Sequence, residues 1–160
     1  MIDELIHTFE ATVRFMEQSV DDLSDEEMVE QPSGVPNHAT WTLGHIIFSC
    51  QGMAMELGTA PWLPDDWESV FGYGSTPQSE EHQYPKKAQL EALLSDAAVR
   101  LCHTVRSVND SVLRRRFPDE DFPTMGHLLL QVVVAHTAFH AGQLAVWRRA
   151  IGKESIAVFV

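Results

Sequence analysis

Apolar positions recur at intervals of three and four along four stretches of the chain, the period of a helix with one buried face. In the first, Ile2, Leu5, Ile6, Phe9, Val13, Met16 and Val20 form one stripe. The second runs from about Trp41 to Leu57, with Trp41, His45, Phe48, Gly52 and Met55 sharing a face and Gly58 as its stop. Leu90, Leu93, Leu94, Ala97, Leu101, Val105 and Val108 mark a third helix over about 86–109. The fourth begins after Thr124, a suitable N-cap, and continues to Ile151, where Gly152 ends it. Ser24 and Glu27 are spaced as a capping box, which predicts a short helical turn before Pro32, Gly34 and Pro36 break the chain.

No segment alternates as a strand does, so the pattern predicts an all-α fold: a four-helix bundle, one domain over 1–160, with short, long and short connections. The long connection, Gly58 to Pro85, has no period but holds Trp62, Trp67, Phe71, Tyr73 and Tyr84. Those aromatics predict an ordered loop, either a lid over a site or a patch for self-association. Met125 to Trp147 contains no Asp, Glu, Lys or Arg over a bilayer-length span. It does carry His127, His136, His140, Gln131 and Gln143, which are costly in lipid. A central helix covering the apolar faces of three amphipathic partners accounts for the same pattern.

Composition narrows the partners. The 160 residues, 44% hydrophobic, suffice for one core, and the net charge of −12 repels nucleic acid and anionic membrane surfaces. The charge is uneven: −15 through Pro85 and +3 beyond it. Cys50 and Cys102 form no metal pair or disulfide framework, and the N-terminal residues lack a secretory pattern, so the expected setting is the cytoplasm. A small-molecule substrate is the expected partner, with a homodimer as a further expectation.

The chemistry points to histidine. His136 and His140 lie four apart in HTAFH and project from one face of a helix, where two imidazoles can share an ion. Divalent metals such as zinc take neutral imidazole nitrogen, and catalytic sites keep three protein ligands and an open position. By helical phase His45 is the best third ligand. His7, His38, His82 and His103 read as solvated, and His127 falls half a turn from the pair. No glutamate follows His136, so the general base of HExxH zinc proteases is missing, and no catalytic triad, nucleotide-binding glycine motif or EF-hand loop is present.

TWTLGHI (40–46) and HTAFHAGQLAVWRRAIG (136–152) together resemble the DinB superfamily of metal-binding four-helix proteins. The resemblance implies His45, His136 and His140 as the metal ligands, with zinc or nickel as the ion. It also implies kinship with bacterial low-molecular-weight thiol transferases, and hence a low-molecular-weight thiol as a second cofactor. Where relatives often place a basic residue after the second helical histidine, this chain has Ala141.

Three functions follow: a metal-dependent thiol transferase or hydrolase; a non-catalytic metal-binding or interaction module with its site sealed; or a structural bundle whose histidines are satisfied in the core. Gly142 reads as a close-packing position and Gln143 as a buried hydrogen-bonding residue. Arg114, Arg115 and Arg116 read as a solvated helix end or, more sharply, an anion clamp. Cys50 lies about 140° around its helix from His45 and is poorly placed as a ligand.

Overall fold

The computed structural model describes residues 2–80 and 83–156, so His82 lies outside the described residues. Each apolar stripe becomes a helix: α1 (Ile2–Gln18), α2 (Ala39–Glu56) and α4 (Lys87–Ser107). The fourth stripe is divided into α6 (Met125–Leu130), a π-helical segment (Gln131–His136) and α7 (Thr137–Ala150). Two short helices, α3 (Trp67–Phe71) and α5 (Asp110–Leu113), lie in the connections. No strand is present among the described residues; a single bridge joins Arg116 and Thr124.

The strong pairings run α1 with α4, α4 with α2, α2 with α7 and α7 with α1. The ring order is therefore α1, α4, α2, α7, and the first two long helices face each other across the bundle. That order corrects the expectation of short outer connections, because a chain crossing the diagonal needs the length found over 19–38 and 108–124. The capping box forms as expected: Ser24 N–H donates to Glu27 Oε2 (2.8 Å), Glu27 N–H donates to Ser24 Oγ (3.2 Å), and a 3₁₀ turn follows over Glu27–Val29.

α2 is buried almost all round, Leu43, Ile46, Ile47, Cys50 and Met53 included, because α4 and α3 cover the faces that α7 leaves. Met55, expected on its inward stripe, is instead exposed. The span from Met125 to Ala150 is long and apolar enough to cross a bilayer by composition alone. In the bundle it packs on α1 and α2, and the π segment interrupts it. Its buried residues through the π segment run 125, 129, 133 and 137, a spacing of four that the wider π turn permits. Thr137 Oγ1–H donates to the carbonyl of Val132, five residues back (2.9 Å).

Arg148 is buried and donates two hydrogen bonds to the Asp22 carboxylate (2.5 and 2.9 Å) and one to the carbonyl of Ser19 (3.0 Å). This fork ties α7 to the end of α1 and holds the Asp22 carboxyl down at about 2.

His38, expected to be solvated, is fully buried as the N-cap of α2. Trp41 N–H donates to its Nδ1 (3.2 Å), and its Nε2–H donates to the carbonyl of Gln78 (2.9 Å). The ring thus uses its neutral form at both ends, strapping the long loop to α2, and burial pushes its pKa down to about 4 from 6.5. Between those values the unfolded chain binds a proton that the folded chain refuses. Stability is therefore lost as pH falls from 6.5 towards 4, by about 3 kcal/mol from this group. His38→Asn, which keeps a cap acceptor, should lose that much less than the parent when urea unfolding is compared at pH 7 and pH 4. Equal acid sensitivity in both proteins would refute the assignment.

Candidate metal centre

Three imidazoles converge where α2 meets the junction of the π segment with α7. One nitrogen from each of His45, His136 and His140 lies within 4.8 Å of the other two. His45 Nε2 and His136 Nε2 are 3.1 Å apart. Nitrogens bound tetrahedrally to one zinc at about 2.05 Å would be about 3.3 Å apart, so the cluster stands within a small side-chain rotation of ligand spacing.

The His45 ring is positioned by its surroundings. His45 Nδ1–H donates to the carbonyl of Phe71 (2.7 Å), the last residue of α3, whose oxygen has no partner within its own helix. Because a carbonyl only accepts, the proton sits on Nδ1 and the lone pair on Nε2 faces the cluster. Trp41 stacks on the same ring at 4.7 Å, with its indole N–H donating to Ser75 Oγ (2.9 Å). His136 Nδ1 and His140 Nδ1 are buried and have no hydrogen-bond partner. Two buried nitrogens of the cluster thus lack a partner among the described residues.

Burial lowers the pKa of all three. His136 falls to about 4, with the neighbouring His45 ring contributing, and His140 to about 3, with His136 and His45 adding to the desolvation. For His45 the bond to Phe71 opposes the lowering by burial. The donors are neutral near pH 7, the form a borderline divalent cation binds. In donor type, number and spacing the residues fit such an ion.

Among the described residues the other sulfur and nitrogen donors stay apart from the cluster. Burial holds the Cys50 thiol up at about 12 and the Cys102 thiol at about 11, where neither is a ready ligand. His7, His103 and His127 are exposed, and His127 Nδ1 is hydrogen-bonded to Thr124 Oγ1 (2.7 Å).

The aromatic loop divides its work. Trp67 and Phe71 are core residues: the Trp67 indole donates to the carbonyl of Gly44 (3.1 Å), and the Phe71 ring lies over Gly44. Tyr73 is fully exposed, and Trp62 receives the Arg100 guanidinium on its ring at 5.5 Å. Gly142, expected at a close helix contact, faces open space, since an added Cβ would meet nothing within 4 Å. Gln143 is half-buried and accepts from Asn37 Nδ2 (3.3 Å). In the basic run, Arg114 pairs with Asp110 in full solvent exposure and Arg115 donates to the carbonyl of Glu56 (2.9 Å).

A groove of about 380 Å³ opens onto His45 and His136 between α2 and the α6–π stretch, with Tyr73 and Phe122 among the residues at its walls. The cluster is thus not sealed. Among the residues that position or line the site, Phe71 acts through its backbone, which side-chain patterning does not reveal. Glu56 stands eleven positions after His45, a phase that places both on one helix face.

The solved structure of a conserved protein from Enterococcus faecalis is similar, with 18% identity, a TM-score of 0.79, and 96% of this chain and 98% of that one covered. YfiT from Bacillus subtilis, described as a probable metal-dependent hydrolase with an unusual four-helix bundle topology, has 17% identity and a TM-score of 0.67. The alignment covers 96% of this chain and 89% of YfiT. No curated protein matches the chain in sequence. The DinB superfamily family model matches residues 8–144. That match runs from the first turns of α1 into α7 and takes in all three clustered histidines, and the chain belongs to the DinB superfamily.

Proposed function

We propose that this protein is a divalent-metal-dependent enzyme of hydrolase or thiol-transferase type in which His45, His136 and His140 hold the ion, zinc or nickel. The observation that carries the reading is the cluster of three neutral imidazoles opening onto a groove large enough for a small molecule. When bound, such an ion lowers the pKa of a water or thiol in its open position and polarises a substrate oxygen. The chain itself fixes the His45 tautomer through Phe71, holds the ring flat with Trp41, and keeps the donors unprotonated by burial.

The openness of the groove favours an enzyme over a sealed metal-binding module. The description of YfiT supports the hydrolase form. A thiol would have to come from solution, since both cysteines are buried and protonated near pH 7. A cytoplasmic setting suits those free thiols.

Chelator-treated protein reconstituted with zinc or nickel and then desalted should retain about one ion per chain by elemental analysis. Retention below about 0.1 overturns the reading. On the cobalt-substituted protein, a sulfur-to-metal absorption band appearing with added thiol would select the transferase form, and its absence the hydrolase form.

A further inference from the structure

On α2, His45, Phe48, Gly52, Met53 and Glu56 follow one another at helical spacing along one wall of the groove. Eleven residues separate the two ends of that row, about 16 Å along the axis at 1.5 Å per residue, and the phase drifts by only about 20°. On the opposite wall Leu128, Gln131, Val132 and His136 run the other way, so both ligand candidates stand at one end and Glu56 at the other. Gly52 leaves the middle open, since a Cβ there would meet nothing within 4 Å. The middle is apolar, and Glu56 is the one carboxylate among the groove's lining residues, which include no Lys or Arg.

Glu56 is badly placed for the helix it ends. It sits in the last turn of α2, at the negative end of the helix dipole, and that turn has no basic residue. Arg115 caps the same end through the backbone carbonyl of Glu56, and the Glu56 carboxylate has no ion pair among the described residues. The −12 net charge of the chain adds a field that draws cations to such a groove.

We infer that the groove takes an elongated small molecule with an apolar body and a cationic end, its ammonium or guanidinium group at Glu56 and its reacting end at the three histidines. This inference rests on the enzymatic reading above and gives that site a substrate class: amine-bearing apolar compounds rather than anionic ones.

The probes are n-octylammonium and octan-1-ol, equal in apolar length and different in charge, titrated calorimetrically into the metal-reconstituted protein at low ionic strength. The ammonium is expected to bind about fivefold more tightly, with the preference shrinking as salt is added. In Glu56→Gln the preference should fall to about one, with helicity and metal content as in the parent. Equal binding of the two probes by the parent, or a preference that survives Glu56→Gln, overturns the inference. Elemental analysis of the same samples separates the two readings: a missing ion defeats the metal centre, whereas a bound ion without the charge preference defeats the substrate class alone.

Discussion

His136→Ala should bind metal on the order of a thousandfold more weakly than the parent, because one of three donors is gone and the remaining pair cannot enclose the ion. After desalting, retention should drop from about one ion per chain to below about 0.1. Stability separates this outcome from the loss of an ordinary core histidine. His136 Nδ1 is buried without a partner, so removing the ring discards an unsatisfied polar atom along with its packing. The metal-free variant is therefore expected to unfold within about 1 kcal/mol of the metal-free parent. Added zinc or nickel should raise the unfolding midpoint of the parent by mass action and leave that of the variant where it was. His127→Ala, an exposed histidine on the same long apolar stretch, should keep both metal and midpoint shift. If His136→Ala retained a full ion, or if His127→Ala lost it, the three-histidine assignment would fail.

Much of the candidate site could be read from spacing because the three clustered histidines lie on helices. HTAFH fixes two rings on one face of α7 and its N-terminal junction, and the phase of His45 on α2 points it inward without knowledge of the ring order. The DinB motifs selected the same residues. What could not be read is what depends on backbone atoms or on distant segments. The Phe71 carbonyl that orients His45 is presented by the five-residue α3, too short to show a period. His38 looked like a loop histidine because its partner, the carbonyl of Gln78, is forty residues away. The π segment was invisible for a different reason. Its effect is to stretch the buried spacing to four around Val133 and Thr137, a change within the tolerance of any amphipathic pattern. Arg148 and Asp22 meet only because α7 passes the end of α1, which depends on the diagonal ring order. Periodicity gave the elements; the pairing of distant polar groups depended on topology.

Gly44→Ala should damage fold and site together. A Cβ at Gly44 would lie 2.2 Å from two atoms of the Phe71 ring, and that ring is fully buried against α2. Neither neighbour has room to move freely: Trp67, in the same short helix, is bonded to the Gly44 carbonyl. Overpacking of this kind costs about 3 kcal/mol. The ring and the carbonyl that fixes His45 belong to the same residue, so displacing Phe71 also loosens the 2.7 Å bond that keeps His45 Nε2 turned to the cluster. Loss of such an orienting bond weakens metal binding by roughly ten- to a hundredfold. Urea unfolding of the metal-free protein and competition with a chelator measure the two effects separately. Phe71→Ala supplies the decisive comparison, since it removes the ring atoms that clash while preserving the backbone carbonyl. Gly44→Ala combined with Phe71→Ala should be more stable than the sum of the single effects by about 1–2 kcal/mol, and should recover most of the metal affinity lost by Gly44→Ala. Strictly additive losses in stability, or metal affinity unchanged by Gly44→Ala, would show that α3 does not position His45, whatever the ion at the three histidines.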